Sequence, residues 1–441
     1  IDRDELREYL NPVYDLERLM ARVVTKSANT RDLLSLSSSM KMIAPIKEVL
    51  NTCTSGEIVK INEGLDKLED IIDIIDRSIN EDSPLSLKEG NIINTGYNAE
   101  IDKLRQAKTE GKNWLASLEA DEKEKTGIKN LKIKYNKVFG YYFEVTNSFK
   151  DMVPDYFVRK QTLTNAERYT TDKLKELENI ILGAEDKLNN LEYEVFVEVR
   201  DIVAGNVNRI QSSAKSLAYI DAICSLATVA YNNNYIRPQI NTNGVIDIKD
   251  GRHPVVESML NDDSFIANDT YLDQNKKRMS IITGPNMAGK STYMRQTALI
   301  CMMAQIGSFV PASQASLCVC DRIFTRVGAS DDLASGQSTF MVEMTEVANI
   351  LRNATRNSLV ILDEIGRGTS TFDGLAIAWA VVEHISNTKL IGAKTLFATH
   401  YHELSELEGT MPGVNNYCIL VKERGDDIVF LRKIAAGGAD K

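Results

Sequence analysis

Apolar residues recur every three or four positions over most of the first 120 residues, the spacing of a helix with one buried face. The segment from Glu57 to Ile79 is the clearest case, and we expect it to form a single helical stripe. Its apolar positions are Ile58, Ile61, Leu65, Leu68, Ile71 and Ile75. The pattern predicts an α-helical region over residues 1–121.

The period changes to two near residue 131, which is the spacing of a strand. Leu131, Ile133 and Tyr135 alternate with Lys132 and Lys134, so the strand would have one apolar and one basic face. We therefore predict a small β module over residues 122–162, inserted into the helical region.

Helical spacing then returns, and no proline occurs between Pro154 and Pro238. This predicts long helices over residues 163–238, and with the preceding helices they suggest an arm that carries the β module at its tip. From residue 239 to 441 short apolar runs alternate with helical patterns. That alternation is typical of an α/β domain with a largely parallel sheet.

The sequence "TGPNMAGKST" fits the phosphate-binding pattern G-x-x-x-x-G-K-[ST] and lies between a predicted strand and a predicted helix. In such a loop Lys290 would reach the β- and γ-phosphates of ATP, and Ser291 would ligate Mg²⁺. The alternative is a glycine-rich turn with a solvated lysine. The predicted ATP-binding residues of this loop are Gly284, Pro285, Asn286, Met287, Ala288, Gly289, Lys290, Ser291 and Thr292.

The continuous apolar run Leu359–Leu362 predicts a strand buried on both faces, and it ends in Asp363 and Glu364. In a phosphate-binding-loop ATPase an Asp at this place holds Mg²⁺, and the next Glu orients and deprotonates the attacking water. A solvated strand end is the alternative explanation. The spacing from Lys290 leaves room for the intervening strands and helices.

A third predicted strand, in "AKTLFATHYHE", ends at Thr399 and His400. Because ligands of open α/β sheets bind at the carboxyl ends of the strands, we expect His400 to contact the γ-phosphate or the attacking water. A structural cap at the strand end is the alternative. His384 and His402 are expected to be structural.

Composition narrows the choice of partners. The net charge is −10, so attraction to nucleic acid must come from a local basic patch, and residues 123–137 carry six lysines against one acid. Lys129, Lys132, Lys134 and Lys137 are expected to contact DNA phosphates, although a solvated edge strand is the alternative. The six scattered cysteines favour reduced core thiols of a cytosolic protein over a zinc site.

Several motifs resemble those of the MutS family of bacterial DNA mismatch-repair ATPases, and they stand in the family's order. They are "DLERLMARV", "RKQTLTNAERY", "GRHPVVE", "TGPNMAGKSTYMRQ", "DRIFTRVGASDDLASGQSTFMVEM", "LDEIGRGTSTFDG" and "FATHYHEL". The resemblance covers essentially the whole chain. It implies a multidomain protein with an α-helical core and lever, an inserted β clamp and an α/β P-loop ABC-type ATPase domain.

The resemblance also implies roles for particular residues. Ser338 would point at the γ-phosphate bound by a second subunit, Asn286 would contact the terminal phosphate, and adenine would stack on Phe265. Arg432 stands where at least one relative has a stacking histidine. With ATP and Mg²⁺ as cofactors, Glu364 and His400 would be the catalytic residues.

Partners implied by the resemblance are the backbone of double-stranded DNA, a second copy through the ATPase domains, and a MutL-type repair protein. The expected location is the bacterial cytoplasm, associated with the nucleoid, and no apolar stretch is long enough to predict a membrane span. We expect the mismatch-reading N-terminal domain and the C-terminal dimerisation helices to lie outside this chain. "GYYFE" is expected to continue a clamp strand, so Phe143 and Glu144 would not be a mismatch wedge.

Two other functions fit parts of the pattern. A MutS-related recombination ATPase or scaffold that does not read mispairs is the main alternative. An ATPase that energises a membrane transporter is disfavoured, because its signature would be of another type and no basic β module would interrupt its helices.

Overall fold

The computed structural model describes residues 2–260, 264–285, 287–327, 339–424 and 427–438. The chain divides into two compact units, Ile1–Cys224 and Ser225–Lys441. The protein is therefore multidomain, with helices and sheets of mixed type, and each unit has its own core.

Six helices open the first unit and pack around a core of leucine, isoleucine and methionine. They are α1 (Asp2–Leu10), α2 (Leu16–Val24), α3 (Thr30–Lys41), α4 (Ile43–Leu50), α5 (Gly56–Gly64) and α6 (Glu69–Ser78). Leu33, Leu36, Met40 and Ile43 are completely buried in this core. The three-four spacing read from the sequence is thus the buried face of these helices.

The single helix expected from Glu57 to Ile79 is wrong, because the segment forms two helices, α5 and α6. Leu68 adopts a left-handed φ of 58° just before α6, while Leu65 and Leu68 are 4 % and 1 % exposed. The break buries both leucines. Its freed backbone groups find other partners: Lys47 Nζ donates to Leu65 O at 3.1 Å, and Leu68 N donates to Asp66 Oδ1 at 2.9 Å.

In the sequence, four strands that form one sheet follow the long helix α7 (Ala99–Thr126) and precede the long helix α8 (Asp172–Gly205). The strands are β1 (Lys132–Asn136), β2 (Gly140–Thr146), β3 (Val158–Thr162) and β4 (Ala166–Thr170), in the antiparallel order β1-β2-β4-β3. The sheet extends to Thr170, beyond the predicted limit of 162, because β4 pairs with both β2 and β3. A further helix, α9 (Val207–Asn232), follows α8.

One face of this sheet packs against α7 and α8. Phe143 is completely buried in a cluster with Leu115 and Leu118 of α7 and Leu174 and Ile181 of α8. The face that packs against the helices is the apolar face predicted from the alternating pattern. The lysines of β1 therefore lie on the opposite face. Phe143 is therefore a core residue of the sheet.

The ten described strands of the second unit form a six-stranded sheet and a four-stranded sheet. They are β5 (Gln239–Asn241), β6 (Ile246–Gly251), β7 (Asn268–Leu272), β8 (Met279–Thr283), β9 (Gln314–Cys318), β10 (Ile323–Arg326), β11 (Leu359–Asp363), β12 (Lys394–Ala398), β13 (Val414–Arg424) and β14 (Asp427–Ala436). The larger sheet has the order β10-β11-β12-β8-β13-β14 and the smaller one β5-β9-β6-β7. All neighbours in the larger sheet are parallel except β13 and β14, so the predicted largely parallel sheet is confirmed.

Two cores cover the faces of the larger sheet. Leu359 and Ile361 of β11 face one core, whereas Val360 and Leu362 face the other. The described α-helices that lie wholly within this unit are α10 (Pro254–Met259), α11 (Lys290–Gln305), α12 (Thr339–Asn353) and α13 (Thr371–Ser386), and a short 3-10 helix spans His402–Leu407. A strand buried on both faces needs apolar residues without alternation, which is why β11 reads as a continuous run.

All six cysteines lie in the described part of the chain, and none forms a disulfide. Cys318 and Cys320 are 3 % and 4 % exposed in the core of the second unit. Within the described ranges no helix is long and apolar enough to cross a bilayer, and no cluster of three or more His, Cys, Asp or Glu side chains could hold a metal ion.

Candidate functional site

Three neighbouring strands of the larger sheet end at the same edge, and the candidate residues follow these ends. Asp363 of β11 is in register with Ala398 of β12, and Ala398 is in register with Ile282 of β8. Because the strands are parallel, their carboxyl ends bring the segments after Thr283, Asp363 and Ala398 together. This is the edge at which ligands of open α/β sheets bind.

The loop after β8 needs glycine at two positions. Gly284 has a φ of 140°, and a Cβ there would lie 2.5 Å from Ile419 Cγ2 of β13. Gly289 has a φ of 110° and precedes the first residue of α11. The loop therefore leads directly into a helix start, where backbone N–H groups without helical acceptors favour an anion.

Lys290 lies under this loop rather than in solvent. Its Nζ donates to Gly284 O at 2.5 Å and to Pro285 O at 3.0 Å, and the residue is 4 % exposed. Burial lowers the pKa of Lys290, while the negative charges of Glu364 and Asp363 oppose the shift. The alternative of a solvated lysine is therefore wrong, since the ammonium group lies among loop carbonyls.

Ser291 and Asp363 connect the loop to the end of β11. The Ser291 hydroxyl donates to Asp363 Oδ2, and Asp363 Oδ1 is buried without a hydrogen-bond partner among the described residues. Burial raises the pKa of this carboxyl, and the Ser291 hydrogen bond opposes that shift. A hydroxyl and a carboxylate with a vacant oxygen are hard donors of the kind that Mg²⁺ takes together with phosphate oxygens and water.

Glu364 faces His400 across the neighbouring strand ends. Glu364 Oε1 lies 2.5 Å from His400 Nε2, and Oε2 lies 2.5 Å from Arg367 Nη1. Burial alone would raise the pKa of Glu364, but the His400 hydrogen bond and the charges of His400 and Arg367 lower it overall. Glu364 is thus kept as a carboxylate, which is the form that can accept a proton.

A cavity of about 270 Å³ opens beside the loop. Its walls include Phe265, on which adenine is expected to stack, and Arg432, which stands where at least one relative has a stacking histidine. Met287 and Gly289 of the loop and Thr292 of α11 complete the wall on the loop side. Arg432 has a left-handed φ of 53°, and its carbonyl accepts a hydrogen bond from the Asn268 side chain at 3.0 Å. The fold therefore brings predicted residues from three distant segments to one cavity.

Gln296 lines the same cavity and was not predicted from the sequence. It is 1 % exposed, and neither amide atom has a hydrogen-bond partner among the described residues. A buried amide without partners is costly, so its position on a cavity wall is informative. Helical spacing would have indicated it, because Gln296 follows Thr292 by four residues on α11.

Two predicted residues lie outside the described residues. These are Asn286 in the loop and Ser338 just before α12. The others from Gly284 to Thr292 are described, with Ala288 completely buried and Met287 exposed.

The four predicted DNA-contacting lysines are all exposed, but one of them is paired. Lys134 Nζ lies 2.7 Å from Glu144 Oε1, whereas Lys129, Lys132 and Lys137 form no ion pair within the described part of the chain. Glu144, expected only to continue the strand, therefore pairs with one of the four lysines.

Arg168 extends the basic face of the sheet, and sequence reasoning missed it. Arg168 on β4 is in register with Glu144 on β2, and its guanidinium lies 4.4 Å from the centre of the Tyr142 ring. The basic surface thus spans β1, β2 and β4. Only the strand pairing reveals this, because Arg168 is far from the lysines in sequence.

Two family models match parts of the chain. Residues 280–441 match MutS domain V, and residues 96–187 match MutS family domain IV. The chain is 69 % identical over 441 residues to the DNA mismatch repair protein MutS of Lachnoclostridium phytofermentans, covering 100 % of this chain and 47 % of that protein. It is 60 % identical to the proteins of the same name from Ruminiclostridium cellulolyticum and Acetivibrio thermocellus, covering 99 % of this chain and 50 % of each.

The chain thus spans about half the length of the curated relatives that it matches. Within that span the similarity is continuous, and it includes both the segment of the four-stranded sheet and the edge formed by β8, β11 and β12. The chain belongs to the MutS family and carries its domains IV and V.

Proposed function

We propose that this protein binds ATP with Mg²⁺ at the edge formed by β8, β11 and β12 and hydrolyses it. The observation that carries the proposal is the contact between the start of α11 and the end of β11, in which Ser291 donates to Asp363 beside the Glu364–His400 pair. A phosphate-holding loop, a hard-cation site and a carboxylate base are the parts that phosphoryl transfer to water requires.

The triphosphate would lie against the loop and the start of α11. Lys290 is already desolvated there, so its ammonium group would exchange the carbonyls of Gly284 and Pro285 for phosphate oxygens. Ser291 and Asp363 would hold Mg²⁺, which supplies charge neutralisation between the β- and γ-phosphates. Asp363 Oδ1, which has no partner among the described residues, is available for this role.

Glu364 would orient the attacking water and accept its proton. Its pKa is lowered, so it remains a carboxylate near neutral pH, and His400 fixes one of its oxygens. As the proton moves to Glu364, His400 can turn its Nε2 toward the γ-phosphate. We therefore assign Glu364 as the base and His400 as its partner at the phosphate.

Adenine would occupy the cavity between Phe265 and Arg432. An aromatic ring on one side and a planar guanidinium on the other both suit the faces of a purine. Asn286 would contact the terminal phosphate from the loop.

We further propose the domain organisation that the sequence predicted, with the clamp extended to the end of β4. Residues 1–121 and 171–238 would form the core and lever, 122–170 the β clamp, and 239–441 a P-loop ABC-type ATPase domain. Two copies would pair through their ATPase domains, with Ser338 of each copy pointing at the γ-phosphate bound by the other.

The proposed biological role is ATP-dependent DNA mismatch repair. The exposed basic face of the sheet would contact the backbone of double-stranded DNA without reading sequence, because lysine contacts to phosphate carry no base information. ATP binding and hydrolysis would drive the grip on DNA, and a MutL-type repair protein would be the downstream partner.

Glu364→Gln tests the proposed function directly. The variant keeps the size and one acceptor oxygen of the side chain but cannot take a proton, so it should bind Mg-ATP with parental affinity. Its single-turnover hydrolysis should be slower by at least about 100-fold. Lys290→Ala is the companion variant, and it should lose ATP binding itself. Parental hydrolysis by Glu364→Gln would exclude Glu364 as the base.

A further inference from the structure

Helix α12 contacts the segment after Glu364 at two points. The buried Glu343, 6 % exposed, accepts a hydrogen bond from Gly366 N at 2.6 Å through Oε1. A second contact joins Phe340 to Gly368, where an added Cβ would lie 3.1 Å from Phe340 Cβ. The first two turns of α12 therefore pack directly on this segment.

The segment has an unusual backbone. Glu364 has a φ of 53° and Gly366 a φ of 90°, so both are in the left-handed region. A non-glycine residue such as Glu364 adopts this region at a cost, and surrounding contacts must hold it there. Side chains hold both backbone groups of Gly366: Glu343 accepts from its N–H, and Tyr401 donates to its carbonyl at 3.1 Å.

Charge makes the Glu343 contact specific. A carboxylate that accepts from a backbone N–H forms a stronger bond than a neutral acceptor does. Arg326, itself 6 % exposed, lies 3.8 Å from Glu343 Oε2 and 2.9 Å from Glu346 Oε2. The buried negative charge of Glu343 is therefore matched by a buried guanidinium.

We infer that Glu343 is a positioning residue for hydrolysis, which acts through Gly366 to hold the Glu364 carboxylate toward His400. This role rests on the proposed function of Glu364. Because Glu343 belongs to α12, the Glu364 carboxylate is correctly oriented only while α12 packs against this segment. Glu343 itself touches no reacting atom.

Three variants separate this role from general stability. Glu343→Ala removes the acceptor of Gly366 N–H, and Glu343→Gln keeps an oxygen that can accept it. Glu346→Ala is the matched control, since Glu346 contacts the same Arg326 from a half-exposed position. ATP affinity and single-turnover hydrolysis at saturating Mg-ATP are measured for each.

We expect Glu343→Ala to hydrolyse ATP roughly 10- to 100-fold more slowly, the range for a misplaced catalytic group. ATP affinity should stay within about twofold, because neither the loop nor the cavity is touched. Glu343→Gln should recover part of the lost rate, and Glu346→Ala should match the parent. Parental hydrolysis by Glu343→Ala would overturn the positioning role.

The same changes in a Glu364→Gln background decide whether Glu343 acts through Glu364. Once the base is gone, Glu343→Ala should slow the residual reaction by less than about twofold, because changes to one functional unit are not additive. A full additional loss would overturn the inference. If Glu343→Ala does not fold, Glu343→Leu, which also removes the acceptor of Gly366 N–H but fills the space, carries the same comparison. Parental hydrolysis by Glu364→Gln alone would instead refute the proposed base.

Discussion

At the scale of single residues, the site combines side chains held by hydrogen bonds with buried polar atoms that have no hydrogen-bond partner among the described residues. Lys290 is bonded to its own loop, and Glu364 is held by His400 and Arg367. Asp363 Oδ1 and the amide of Gln296, by contrast, are buried without partners among the described residues. Since an unmet buried polar atom is costly, these atoms mark where a ligand or water is expected.

Gln296→Leu tests this interpretation at the cavity wall. The change removes the amide at similar volume, so ATP affinity should fall by roughly 3- to 10-fold, the value of one neutral hydrogen bond. Stability should not fall, because no bond within the described residues is lost. Affinity can be measured by titration calorimetry and stability by thermal unfolding.

Gln305→Leu is the control on the same helix. Both polar atoms of the Gln305 amide are bonded to the Cys320 backbone, at 3.1 and 2.7 Å. This variant should therefore lose about 1–3 kcal/mol of stability and keep its ATP affinity. If Gln296→Leu binds ATP as tightly as the parent, Gln296 has no part in the nucleotide site.

At the scale of elements, the site depends on the turns that follow β8 and β11. Residues in both turns have a positive φ. The turn after β11 is the tightest of these, since a Cβ at Gly366 would collide with the carbonyl of Gly374 at the start of α13. Gly366 and Gly374 thus allow the backbone of the segment after Glu364 to pack directly against the backbone of α13. This is a packing requirement in addition to the positive φ.

Gly366→Ala should destabilise the protein by two separable effects. The left-handed φ costs an alanine about 1–2 kcal/mol, and the collision with Gly374 adds about 1–3 kcal/mol. Gly409→Ala isolates the first effect, because Gly409 has a φ of 83° and no atom within 4 Å of an added Cβ. Denaturant unfolding followed by circular dichroism should rank Gly366→Ala clearly below Gly409→Ala, and equal midpoints would mean that the turn relaxes.

At the scale of the whole molecule, charge is distributed unevenly. The chain carries a net charge of −10, yet one face of the four-stranded sheet collects Lys132, Lys134 and Arg168. On an acidic protein such a local basic face would direct DNA to itself, and the interaction should then weaken steeply with salt. The Lys134–Glu144 pair would reduce the number of lysines available for phosphate.

The salt dependence of DNA binding tests how many of these lysines contact phosphate. If Lys129, Lys132 and Lys137 each neutralise one phosphate, the slope of log affinity against log salt should be about −2.7 per sheet. Lys132→Ala should flatten it by about 0.9. Glu144→Gln should steepen it by up to about 0.9, because it releases Lys134.

Lys60→Ala, on a helix of the first unit, is the control and should leave the slope unchanged. Slopes that do not respond to Lys132→Ala or Glu144→Gln would mean that the lysines form only a solvated face, which was the alternative explanation of the sequence pattern.

The sequence by itself determined the local chemistry and the class of each element. The phosphate-loop spacing, the buried run before Asp363 and the alternating lysines each follow from covalent order and period, so they can be read without contacts. The long helix α8 and the largely parallel sheet were predicted for the same reason. His400 was placed correctly at the edge, because parallel strands end on one side.

Only the tertiary structure decided which distant residues meet. The break between α5 and α6 depends on burying Leu65 and Leu68, which a period alone does not reveal. Strand pairing places Glu144 within 2.7 Å of Lys134 and brings Arg168 onto the face of the β1 lysines. In the sequence Gln296 and Glu343 are ordinary helix residues. They become candidates for function because Gln296 is buried beside the cavity and Glu343 is buried beside the left-handed turn. Such contacts depend on packing between segments far apart in the chain, so a local pattern gives at most the helix face, as for Gln296, and never the contact itself.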